Sequence, residues 1–300
     1  LMKFNAAVLF SLNQPLRVIR IDHKEKLSRG QILVKLYYSG ICGSQIGEIQ
    51  GVKGKDKYLP HLLGHEGTGR IKKIGKGVKR FKVGDKVILH WQKASGINSK
   101  TPSYFHNKKK INSGWVTTFN QFTVASENRL TKLPKNISAK RGILFGCSLT
   151  TAYGTLTKIG KISKKDRILI IGAGNIGLAM IYICKLLGCT NVIAVDKNLK
   201  KLKKAKELGV KKIFELKELN LLYEEILNAF SGGNPTKIFE NTGNTEMIEF
   251  AYDILNKKGI LSLVGVPDFK KKIKINTLPL HLGKQIKGSF GGGGNPEEII

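Results

Sequence analysis

The 300-residue chain has no uninterrupted apolar stretch long enough to span a bilayer, and its first residues, Leu1-Met2-Lys3-Phe4-Asn5, lack the apolar core of a secretory signal. The expectation is a cytoplasmic protein with no membrane role. Cysteine is scarce. The four present, Cys42, Cys147, Cys184 and Cys189, have no framework spacing, which argues against a disulfide-stapled fold and leaves metal binding as the notable use of a thiol. Acidic residues are few as well, 21 against 52 Lys and Arg, so the formal net charge is +31. Such an excess raises the question of a nucleic-acid partner, but arginine is also rare, with eight against 44 lysines. Phosphate and base recognition favour arginine for its bidentate fork. The lysines are spread along the chain, with short clusters at 108–110, 200–204 and 270–272 and no long basic arm. They read as a solvated basic surface that binds polyanions weakly at low salt, with no specific nucleic-acid partner.

What is present is enough for about two domains with a large core. A hydrophobic content of 41% with 24% charged residues fits a folded soluble chain. Residues 167 to 201 organise the second half. Arg167-Ile168-Leu169-Ile170-Ile171 is a continuous apolar run suited to a strand buried on both faces, and Gly172-Ala173-Gly174-Asn175-Ile176-Gly177 follows it directly. Gly172 permits the tight bend, Gly174 lets the backbone approach a pyrophosphate, and Gly177 lets the next helix, Leu178 to Leu187, sit close to the strand. The strand Asn191 to Val195 then ends in Asp196, at the spacing of an acid that bonds a ribose 2′-hydroxyl and repels a 2′-phosphate, which points to NAD(H) over NADP(H). The alternation continues. Helices are expected over 198–208, 217–231 and 245–256, and strands over 211–215, 237–240, 259–264 and 284–289. These elements build a doubly wound parallel sheet with the cofactor at the carboxyl ends of its strands.

Residues 1 to 145 read as mostly β, with strands at Gln31 to Tyr38, Val83 to Leu89 and Phe119 to Val124 whose spacing suggests a partly open barrel. Three stretches there carry chemistry-bearing residues: Gly40-Ile41-Cys42-Gly43-Ser44, Gly64-His65-Glu66-Gly67, and Phe145-Gly146-Cys147 through Gly154. Taken singly, each has a structural explanation, a small buried thiol or a packed histidine. Taken together, two Cys and one His that leave a tetrahedral position open form a catalytic zinc set, with Glu66 as a fourth, exchangeable ligand.

In their order and spacing, these elements, with Val83-Gly84-Asp85 and the glycine turn, resemble the zinc-dependent medium-chain alcohol dehydrogenases over nearly the whole chain. The resemblance implies an α/β fold class, a GroES-like partly open β-barrel catalytic domain (1–148) plus a Rossmann doubly wound parallel sheet (149–290), with 291–300 starting a return to the catalytic domain that looks prematurely ended. It implies Cys42, His65 and Cys147 on a catalytic zinc, Glu66 behind it, and Ser44 passing the substrate's proton. Thr151 and Ile176 would pack near the nicotinamide, Asp196 and Lys201 would hold the adenosine ribose, and Val264-Gly265-Val266 would line the carboxamide pocket. Gly172, Gly174, Asn175 and Gly177 complete the NAD(H) site. A homodimer or homotetramer is implied, for which Ile273-Lys274-Ile275-Asn276 offers an edge.

The departures from that pattern matter equally. The family's structural-zinc lobe carries four closely spaced cysteines, and residues 90 to 118 have none, so one zinc and no structural zinc are expected. The lobe is then a long surface loop whose His90 and His106 are weak candidates for substrate contact. Gln45 stands where relatives carry an acid supporting the zinc-ligand histidine, and its amide would bond that imidazole without a charge. Gly43 and Gly47 replace a pyrophosphate-binding base and a relay histidine. The expected reaction is interconversion of an alcohol and an aldehyde or ketone with NAD(H). The rivals are a zinc-free quinone or alkene reductase of the same fold and a noncatalytic nucleic-acid-binding protein.

Overall fold

The structure, a computed structural model, describes residues 1–24 and 26–300. The chain divides into two compact units, Leu1–Thr150 with Asn295–Ile300, and Thr151–Gly294. Among the described residues no helix is long and apolar enough to cross a membrane.

The first unit contains β1 (Met2–Leu9), β2 (Arg17–His23), β3 (Gln31–Ser39), β4 (His61–Leu62), β5 (Glu66–Ile74), β6 (Lys86–His90), β7 (Tyr104–His106), β8 (Lys109–Ile111), β9 (Phe122–Ser126) and β10 (Leu130–Lys132). They form two five-stranded sheets, in the orders β4-β1-β2-β7-β8 and β10-β6-β5-β3-β9. Phe4, Val8, Ile21, Tyr104 and Ile111 fill one core, and Ile32, Val34, Ile71, Val87 and Leu130 fill another. The strand expected from Val83 begins only at Lys86. Gly84 at φ 96° and Asp85, whose Oδ2 accepts from the Lys82 N–H at 3.0 Å, make a turn before it. The strand expected from Phe119 starts at Phe122, because the Asn120 side chain bonds the Phe122 carbonyl instead of continuing a ladder.

The lobe 90–118 departs further from expectation. It contains a β7–β8 hairpin whose turn residues Asn107 and Lys108 both have positive φ, 48° and 65°, the geometry whose twist matches the flanking strands. Tyr104 is wholly buried, and its hydroxyl accepts from the Val124 N–H at 2.9 Å. The hairpin therefore belongs to the edge of a sheet, with Tyr104 in its core, while 91–103 and 113–118 stay irregular, as a loop. At the other end of the chain, Asn295–Ile300 joins this unit through an ion pair from Glu297 to Arg80.

The second unit is a six-stranded sheet of β11 (Ile168–Ile171), β12 (Val192–Asp196), β13 (Lys212–Glu215), β14 (Lys237–Glu240), β15 (Ile260–Leu263) and β16 (Gln285–Gly288). The order is β13-β12-β11-β14-β15-β16 and every pairing is parallel, so the strand order reverses at β11 as in doubly wound nucleotide-binding sheets. All residues of β11 and β12 are buried, which is why their sequences are apolar runs without alternation. The helices Leu199–Glu207, Leu219–Ala229 and Thr245–Ile254 lie within two residues of expectation. The helix after the glycine turn starts earlier than its apolar run, at Asn175, because Gly174 is its cap. Ile273 to Asn276 forms no ladder among the described residues, and Ile273 and Ile275 pack on the sheet's core.

Candidate active site

In the first unit, β3 ends at Ser39 and a helix, Gly43–Ile49, opens with Cys42 as its N-cap residue. Gly64, at φ 85°, turns the chain into His65, and a Cβ there would lie 2.4 Å from Thr118 Oγ1, so the bend requires glycine. Cys147 follows a short 3-10 turn, Ile143–Gly146. These three local devices bring together residues far apart in sequence. One ligand atom from each of Cys42, His65 and Cys147 lies within 4.8 Å of the others. The Cys42 thiol is drawn down to about 3, chiefly by the Cys147 side chain hydrogen-bonded to it, against the opposing effect of burial, with His65 and Ser44 helping. Nε2 of His65 is buried and has no hydrogen-bond partner. A thiol poised as thiolate, a second thiol and an orphaned imidazole nitrogen are the donor set of a tetrahedral zinc with one open position, and the residues fit that ion. Ser44 Oγ donates to Cys42 Sγ at 3.3 Å, which places it at the edge of the set.

Glu66 is buried just beside these groups, and burial pushes its carboxyl up to about 7 while the charge of His65 pulls it down. Gly40 and Gly146 make room for it. A Cβ at Gly40 would sit 2.6 Å from Glu66 Oε1, and one at Gly146 2.7 Å from its Cβ. It stands outside the three-residue ligand group itself.

In the second unit, Gly172 has φ 89°, and a Cβ at Gly177 would lie 2.0 Å from the Gly172 carbonyl oxygen, so the helix packs against the turn at backbone distance. A Cβ at Gly174 would meet nothing within 4 Å, which leaves the space in front of the helix N-terminus open. Asn175 and Ile176 open that helix. Asp196, at the end of β12, accepts from the Ala173 N–H at 2.7 Å and the Asn198 N–H at 2.8 Å, with Lys201 Nζ 4.0 Å away. The acid thus braces the glycine turn and the next helix. Val264 and Val266 follow β15, and Val264 N–H donates to the Glu240 carbonyl at 2.8 Å. Thr151 is buried, with Oγ1 unpartnered.

Comparison with known proteins agrees with both units. Residues 28–135 match the family model for the alcohol dehydrogenase GroES-like domain, and residues 175–300 match that for zinc-binding dehydrogenase. Alcohol dehydrogenase 6 of Peromyscus maniculatus is 28% identical over 324 aligned positions, covering 100% of this chain and 86% of that protein. The chain belongs to the zinc-type medium-chain alcohol dehydrogenase family. Its fold superposes on benzyl alcohol dehydrogenase from Acinetobacter calcoaceticus with a TM-score of 0.87 at 24% identity, covering 100% of this chain and 87% of that one. It also matches a short chain alcohol dehydrogenase from Escherichia coli CFT073, solved in complex with NADH, with a TM-score of 0.76 at 22% identity, covering 96% and 83%.

Within this family fold, three expectations fail. Gln45 does not hold the ligand imidazole: its Oε1 accepts from the Gly64 N–H, and its Nε2 donates to Glu48 at 3.3 Å. An amide has both a donor and an acceptor to satisfy when buried, and the neighbouring backbone and carboxylate supply both partners. His90 is wholly buried, with Nδ1 2.8 Å from the Gln92 carbonyl and Nε2 3.0 Å from Thr131 Oγ1, so it is a structural residue. His106 faces the Arg20 carbonyl at 2.8 Å, on a different depression from His65.

Sequence reasoning also missed residues that line the cavity beside His65. This cavity, about 600 Å³, is bounded by Glu48, His61, Trp91, Lys110 and Trp115 among others. Glu48, Asp56 and His61 also converge, but they are already paired. His61 Nε2 lies 2.7 Å from Asp56 Oδ2, His61 Nδ1 lies 3.0 Å from the Leu62 carbonyl, and Glu48 meets Lys53 at 3.5 Å. The only advance signal was His61 four residues before His65.

Proposed function

We propose that the protein interconverts an alcohol with its aldehyde or ketone, using one catalytic zinc and NAD(H). The observation that carries the reading is the convergence of Cys42, His65 and Cys147 with the His65 Nε2 buried and unpartnered. When bound, the zinc polarises the substrate oxygen and lowers its proton affinity, and the nicotinamide accepts or returns a hydride. The protein's own residues do the rest. Cys42 and Cys147 supply negative ligands, and the hydrogen bond from Ser44 keeps the Cys42 sulfur oriented. Ser44 Oγ receives the substrate's hydroxyl proton and hands it to water, since Gly47 offers no side chain to continue a relay. Glu66, shielded by Gly40 and Gly146, adds nearby negative potential that its proton modulates. In the second unit, the open space at Gly174 and the helix N-terminus receive the pyrophosphate, and Asp196 with Lys201 receives the adenosine ribose. Thr151, Ile176, Val264 and Val266 take the nicotinamide end. The NADH bound to the Escherichia coli neighbour supports this choice of cofactor.

The test is metal analysis and turnover of purified protein with an alcohol panel and NAD+. About one zinc per chain is expected, and Cys42→Ala or His65→Ala should empty the site and lower turnover by on the order of a thousandfold. NAD-linked turnover by metal-free protein would overturn the zinc role and favour the quinone or alkene reductase reading.

A further inference from the structure

Arg129 is 2% exposed, yet no carboxylate pairs with it among the described residues. Its Nη1 donates to the Trp91 carbonyl and its Cζ lies 4.6 Å from the centroid of the Trp115 ring, while Nε and Nη2 are buried with no hydrogen-bond partner. The nearest acid in sequence, Glu127 on the same 3-10 turn, is committed elsewhere. It accepts from the backbone N–H groups of Lys79, Arg80 and Ile97 at 2.9, 3.0 and 3.0 Å. A buried guanidinium with two idle donors is costly unless an anion meets it in some state of the protein.

The place where that anion would arrive is indicated by the residues that cover Arg129. Trp91 and Trp115 both bound the cavity that contains His65, and the Trp91 ring stands 6.4 Å from the His65 ring. Trp115 is 53% exposed, so its indole has room to move aside. Lys110 lines the cavity as a cation, whereas Glu48, the acid among its lining residues, is already met by Lys53 at 3.5 Å. We propose that this cavity selects alcohols that carry an oxyanion, a carboxylate or a phosphate monoester, and that Arg129 binds that group. The inference rests on the dehydrogenase reading only in taking the bound molecule as the substrate. The net charge of +31 favours the same ligands by drawing anions toward the protein.

The chain's only tryptophans are the two in this wall, so indole emission reports on this site alone. The full chain is titrated with short hydroxycarboxylates, hydroxyalkyl phosphates and neutral diols of matched length. A saturable emission change is expected for one of the anionic series at concentrations at least tenfold below the diols, and the better series tells carboxylate from phosphate. Arg129→Gln should remove the preference, and Arg129→Lys should keep part of it. Equal affinity for anionic and neutral alcohols would overturn the proposal, as would a preference that survives in Arg129→Gln. If that variant does not fold, wild-type protein decides. At about 0.5 M salt attraction by surface lysines is screened, so a preference lost there belongs to the surface and overturns the proposal, and one retained supports it. Anion preference without turnover of any alcohol would sink the dehydrogenase reading and leave this one standing. Turnover of neutral and acidic alcohols with equal KM would do the reverse.

Discussion

Single residues here depart from what their type suggests, and each departure has a measurable consequence. His90 is buried with both ring nitrogens bonded, and burial, with the charges of Arg129 and Arg80, brings its pKa down to about 4. Its folded pKa lies below its unfolded value near 6.5, so the unfolded chain binds the extra proton first. Stability from this group is therefore complete above about 6.5 and is lost as pH falls through about 4, a change on the order of 3 kcal/mol. Urea unfolding followed between these pH values should show that slope, and His90→Gln should flatten it whatever it does to stability at neutral pH. An unchanged slope in the variant would show that other groups govern acid unfolding. His90, like Arg129, was illegible in the sequence because polar and charged residues default to the surface, and nothing local marks the exceptions.

At the scale of the element, the glycine turn was legible in full because strand, bend and helix are contiguous and each glycine answers a local steric demand. Gly177 and Gly174 meet different demands, and replacing them separates the two. Gly177→Ala places a methyl against the Gly172 carbonyl and should lower stability by about 1–3 kcal/mol, visible as a fall in Tm. Gly174→Ala meets open space, so Tm should hold while NADH affinity, read by fluorescence titration, drops by about tenfold or more. Equal NADH affinity in Gly174→Ala and the parent would remove that space from the cofactor site. The β7–β8 hairpin was not legible. Its strands are three residues each and its turn uses Asn107-Lys108, where the usual signal would be Asn-Gly.

For the whole molecule, charge and fold point in different directions, and they can be measured apart. A surface of +31 should bind duplex DNA of any sequence, with affinity falling at least about tenfold between roughly 50 and 200 mM salt. NAD-linked turnover should persist across that range. Sequence-dependent DNA affinity that withstands the higher salt would argue instead for a dedicated nucleic-acid role.

From the sequence alone followed the two-part architecture, the glycine turn and the kinds of residue able to hold a metal, because hydrophobic periodicity and turn chemistry act over a few neighbouring residues. The meeting of Cys42 and Cys147, more than a hundred residues apart, with His65 was offered by the sequence only through a family resemblance, and the tertiary structure supplies its geometry. Tertiary structure alone decided that Gln45 turns away from that imidazole and that a lone guanidinium lies behind the cavity wall. The physical reason is the same in each case: which polar atoms find partners depends on how sheets and loops pack, and no spacing along the chain encodes it.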